Sequence, residues 1–182
     1  AANDFIAGGF IWSGVDYIGE AGWPSHGWPT GLFDICLVEK PRAAFHRAMW
    51  NEEPMVRIAV RDNALDIDHG RDLWQWPNMA AMWNFPKSYE GLVIEVNTTT
   101  NCERVALYHN ENEMGIRRTA DYPNHTITWC LPYKPGTLVA KGINGTDTVA
   151  VYEIRTAGEP AMLHAVADRT ELVADGQDLS YV

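Results

Sequence analysis

Trp12, Asp16 and Glu20 are the first residues whose types could do chemistry. They lie inside Gly8-Gly9-Phe10-Ile11-Trp12-Ser13-Gly14-Val15-Asp16-Tyr17-Ile18-Gly19-Glu20. On a helix, the i, i+4 spacing of Asp16 and Glu20 would bring both acids to one face, where one could give and the other take a proton. Gly14 and Gly19 oppose a helix and place the acids in strand and loop instead. Separate roles are then expected. Asp16 and Glu20 would hydrogen-bond a ligand's hydroxyls or orient their loop, and Trp12 would offer a flat apolar face. Tyr17, Trp23, His26 and Trp28 are expected to pack the loop.

An apolar run over residues 5–12 must carry Trp12. A run without alternation fits a strand buried on both faces, as in parallel sheets covered by helices. In a parallel α/β barrel the polar end of such a strand is where substrates sit. Small residues at Ala7, Gly8 and Gly9 would admit close neighbours. With its other strands absent, this run is expected to pack on the rest of the chain or on another copy of it.

Beyond the loop with its two Trp-Pro steps, Lys40-Pro41 predicts a helix to Trp50, with Phe45, Met49 and Trp50 as its apolar face. From residue 55 the period changes to two. Strands are predicted near residues 56–60, 92–96, 104–108, 126–129, 137–141 and 148–154, with turns at Asn110-Glu111-Asn112-Glu113 and Asn144-Gly145. Short strands at this spacing, with no helix between them, indicate an immunoglobulin-like β-sandwich. Further strands are predicted at 162–167, 171–173 and 179–182. The expected fold class is mainly β, a sandwich preceded by one βα unit of a (β/α)8 barrel. Expected domains are 1–54 (an incomplete barrel end), 55–157 (the sandwich) and 158–182 (the start of another such domain). The chain is thus expected to be a fragment of a longer protein.

Composition narrows the partners. A formal charge of −10 excludes nucleic acid and anionic membrane surfaces as expected partners. No apolar run approaches a membrane span, and the first residues lack the basic start of a signal peptide. Cys36, Cys102 and Cys130 give neither a disulfide framework nor a zinc site. Compartment stays open, with a periplasmic or secreted bacterial setting ahead of the cytoplasm. No cofactor or metal is expected. Asp62, Asp66, Asp68 and Asp72 lack the calcium-loop pattern and read as a solvated acidic loop. Most of the eight tryptophans are expected in the core.

The order of these segments resembles glycoside hydrolase family 2, the β-galactosidase and β-glucuronidase family. The opening motif is similar to its last barrel strand and following loop. Gly31-Leu32-Phe33-Asp34, Lys40-Pro41 and Trp50-Asn51-Glu52-Glu53-Pro54 continue the match. Trp83-Asn84-Phe85, the run from Thr100 through Tyr108, and Pro132-Tyr133-Lys134-Pro135-Gly136 resemble the immunoglobulin-like domain that follows the barrel. Asn110-Glu111-Asn112 departs from the family's usual Asn-Gly turn, and the acidic connection is longer than usual.

The resemblance implies a retaining glycosidase of terminal β-galactosides or related β-glycosides, with both catalytic glutamates on earlier barrel strands and so no catalytic residue here. Trp12 would line the innermost sugar subsite, with Asp16 and Glu20 as further substrate-binding candidates. Expected partners are a carbohydrate substrate in the parent enzyme and a second copy of the chain through the bare barrel segment. The competing expectation is a non-catalytic carbohydrate-binding or adhesion module with Trp74, Trp76 and Trp83 as its platform.

Overall fold

The computed structural model describes residues 4–61 and 77–182. Along them run β1 (Tyr17–Ile18), β2 (Gly27–Trp28), α1 (Pro41–Trp50), β3 (Val56–Arg61), β4 (Met79–Ala80), β5 (Val93–Thr100), β6 (Arg104–His109), β7 (Asn112–Arg118), β8 (Thr126–Pro132), β9 (Thr137–Asn144) and β10 (Asp147–Arg155). Strands β3 to β10 form two antiparallel sheets, ordered β4-β3-β5-β8 and β10-β9-β6-β7. Alternate residues from both sheets fill the space between them, among them Val60, Val96, Val105, Leu107, Ile127 and Leu138, all fully buried. The fold is mainly β, as the period-two pattern indicates.

The turns explain the order of the second sheet. Asn110 and Glu111 both have positive φ (49° and 69°) between the paired His109 and Asn112, a two-residue hairpin of the kind that suits strand twist. Asn144 pairs with Asp147 across Gly145, whose φ is 57°. Strand β7 was not expected from the sequence. It is an edge strand with Gly115 at its centre and exposed residues on most of its length, so it shows no apolar alternation.

Helix α1 forms where Pro41 predicts it, but it buries a different face. Ala43, Ala44 and Ala48 are buried, while Met49 and Trp50 are exposed. The reason is the surface beneath. The outward side chains of β5 include Asn97 and Thr99, both buried, and only a small-residue face lets the helix approach such short polar side chains. Asn101 fastens the link that follows the helix. Its Nδ2 donates to the carbonyls of Asn51 (2.9 Å) and Glu53 (2.8 Å), and its Oδ1 accepts from the Met55 amide (2.7 Å).

Four expectations are corrected. Residues 5–12 form no strand: Phe10 is fully exposed, Ile11 is exposed, and a Cβ at Gly8 or Gly9 would meet nothing within 4 Å. A strand buried on both faces needs neighbours on both sides, and the sandwich offers it none, so packing within the chain fails. Residues 162–167, 171–173 and 179–182 form no strands either. Their contacts are local: Asp168 pairs with Tyr181 backbone to backbone (2.9 Å), and Asp175 Oδ1 accepts from the amides of Gln177 and Asp178. An alternating pattern makes a strand only when a ladder partner is present. Of the six tryptophans among the described residues, only Trp83 and Trp129 are buried. The other four, Trp12, Trp23, Trp28 and Trp50, lie before β3, outside the sandwich core. Trp83 is therefore no exposed platform, and Trp74, Trp76 and the acidic stretch 62–72 lie outside the described residues.

Candidate functional site

The site is built from the loops between Trp12 and α1. Backbone bonds lace two of them together: Leu32 N–H to Ser13 O (3.0 Å), Phe33 N–H to Gly14 O (3.0 Å) and Asp16 N–H to Phe33 O (2.9 Å). The β1–β2 hairpin projects from this lacing, with Tyr17 opposite Trp28 and Ile18 opposite Gly27. Gly31 is required by the crossing, because a Cβ there would overlap the backbone of Val15 and Asp16.

Asp16 closes the lacing from inside. Its Oδ1 accepts from the Gly31 amide (2.7 Å), and Lys40 Nζ reaches both carboxylate oxygens (2.6 and 2.5 Å). The two side chains are only 13% and 22% exposed, so the pair is largely shielded from water. Lys40 also donates to the Pro29 carbonyl (3.3 Å), and Arg42 donates to the carbonyls of Gly31 (2.8 Å) and Pro29 (2.5 Å). The start of α1 thus clasps the loop. Burial lowers the Arg42 pKa and the nearby Asp16 carboxylate raises it. Burial, and then the Arg42 charge, hold His46 below its ordinary value.

Asp16→Ala would leave Lys40 without its carboxylate and the Gly31 amide without its acceptor. The expected cost is about 1–3 kcal/mol, confined to the clasp. Hydrogen exchange should quicken at the amides of 31–33 while β5 and β8 stay protected. Loss of protection throughout the sandwich would contradict this.

On the opposite side of the hairpin, Trp12 Nε1 donates to the Tyr17 hydroxyl (3.3 Å), which donates to Glu20 Oε2 (2.9 Å). The Trp12 and Tyr17 rings meet edge to face, 6.3 Å apart at 86°. Trp12 nevertheless remains 61% exposed. Hollows of about 650 and 750 Å3 open over the sandwich, and neither includes Trp12, Tyr17 or Glu20. The indole is an open face, not the floor of a closed pocket.

The structure therefore brings Trp12 and Glu20 together and turns Asp16 inward, away from them. Trp23 meets His26 edge to face yet stays 87% exposed, more open than the expected loop packing would leave it. Lys40, Arg42 and Gly31 were not foreseen as parts of the site. Lys40 lies 24 residues from Asp16, and nothing local in the sequence joins them.

A glycosyl hydrolase family 2 member from Bacteroides cellulosilyticus superposes on 93% of this chain with a TM-score of 0.76 and 32% identity. Over nearly its whole length the chain is similar to glycoside hydrolase family 2. β-Galactosidase BoGH2A of Bacteroides ovatus is 29% identical over 99% of the chain, and a Formosa agariphila protein named as a β-glucuronidase is 29% identical over 86%. The chain spans only 19% and 14% of those two curated relatives, and 24% of the solved structure. A family model described as a domain of unknown function, DUF4982, matches residues 91–150, from just before β5 to within β10.

Proposed function

We propose that this segment supplies one wall of the sugar site, and a sandwich that supports it, in a longer retaining family 2 enzyme cleaving terminal β-galactosides or related β-glycosides. The observation that carries the reading is the exposed Trp12 indole, tethered edge-on by Tyr17 at the end of a glycine-rich apolar segment. A flat, fixed indole suits the apolar face of a pyranose ring, where contact area costs little side-chain entropy. Retaining hydrolysis needs two carboxyl groups about 5 Å apart, one as nucleophile and one as acid/base. Asp16, locked to Lys40, and Glu20, bound to Tyr17, have different partners and form no such pair. Both catalytic carboxyls come from elsewhere in the longer polypeptide. The bare residues 5–11 are where the remaining barrel docks, with a second copy of the chain as the competing occupant, and Trp12 at their end is left facing the sugar.

The 182-residue chain alone should show no hydrolysis of aryl β-galactosides, β-glucosides or β-glucuronides. The full-length enzyme should turn over at least one of them, the β-galactoside first. Turnover by the isolated chain, or none by the full-length protein on any of the three, would overturn the reading.

A further inference from the structure

We infer, on the reading of the site proposed above, that Glu20 is a positioning residue that fixes the Trp12 indole through the Tyr17 hydroxyl and does not itself bind the sugar through the oxygen that Tyr17 occupies. The direction of the two hydrogen bonds follows from the groups. An indole can only donate, and an ionised carboxylate can only accept. The Tyr17 hydroxyl has one proton to give. With that proton donated in a hydrogen bond to Glu20 Oε2 at 2.9 Å, the phenolic oxygen is left to accept from Trp12 Nε1 at 3.3 Å.

The bond to the carboxylate is charge-assisted and draws electron density toward Glu20. Bonds in such a chain reinforce one another, so the longer tryptophan bond depends on the shorter one. The backbone is shaped to the same end. Gly19 and Glu20 both have positive φ (93° and 50°), a turn that folds the Glu20 side chain back onto the residue three positions earlier. An indole as exposed as Trp12 has few packing contacts to hold its ring. Without the tether, sugar binding would have to order that side chain and would be weaker for it.

The test reads the indole N–H resonances of the 182-residue chain, with Trp12→Phe identifying the Trp12 signal. Tyr17→Phe and Glu20→Ala should both move that signal upfield, and Glu20→Gln, which keeps an acceptor, should restore part of the shift. The Trp83 and Trp129 indole signals should not move. A Trp12 signal indifferent to Glu20→Ala, or one that moves only together with those of Trp83 and Trp129, would overturn the inference. In the full-length enzyme, Glu20→Ala should raise KM about two- to tenfold with kcat less affected. If the resonances respond as expected while activity is indifferent to Trp12→Ala, the sugar-site reading fails and the tether stands.

Discussion

Trp83→Ala is expected to destabilise the sandwich by about 3–5 kcal/mol, the range for truncating a buried tryptophan. Trp83 is fully buried between the sheets, edge-on to Phe85, His109 and Tyr133, with ring centroids 5.8, 5.6 and 5.1 Å away. Its Nε1 donates to the Lys134 carbonyl at 3.0 Å, so truncation opens a cavity and strips an acceptor as well. Domains of this size hold only about 5–15 kcal/mol of net stability. The loss should therefore lower Tm by more than about 10 °C in a thermal melt. Trp83→Phe keeps most of the ring volume and should cost clearly less. A melting point within about 2 °C of wild type for Trp83→Ala would contradict a core role and reopen the exposed-platform idea.

How far the sequence reached depended on whether each feature was local. Strands β8 and β9 were legible because one of their faces is buried, which writes an alternation into the chain, and β6 and β10 because they are short runs rich in apolar residues bounded by turn signals. Strand β7 was not, because an edge strand with Gly115 at its centre needs no such alternation. Helix α1 was legible from Pro41. Its buried face was misread because size, not apolarity, decides what can sit on Asn97 and Thr99. The strand patterns at 162–167 and 179–182 were real as patterns, yet alternation does not supply a ladder partner.

The site divides in the same way. Trp12 and Glu20 were legible as candidates from residue type and position. The clasp was not, because the Asp16–Lys40 pair, the Arg42 bonds to Pro29 and Gly31, and the overlap that excludes any side chain at residue 31 exist only once distant loops cross. Asp16, open in the sequence to meeting a ligand's hydroxyl or to orienting its loop, holds the loop through the Gly31 amide and Lys40. Tyr17 gains a role, since its hydroxyl joins the tryptophan to the glutamate.

The second large effect is on catalysis. Trp12 is exposed in this chain and its side chain makes a single hydrogen bond, so with the indole facing the sugar rather than the barrel core, Trp12→Ala should leave Tm of the full-length enzyme unchanged. If the indole covers the sugar ring at the transition state, removing it should lower kcat/KM for an aryl β-galactoside about 100-fold, equivalent to about 2.7 kcal/mol of lost stabilisation. Trp12→Phe, which keeps an aromatic face but not the N–H tether, should fall between. The deciding measurement is kcat/KM of the Trp12→Ala full-length enzyme beside its melting temperature. The account predicts a fall of about two orders of magnitude at constant Tm. A kcat/KM within about twofold of wild type would contradict the placement of Trp12 against the sugar.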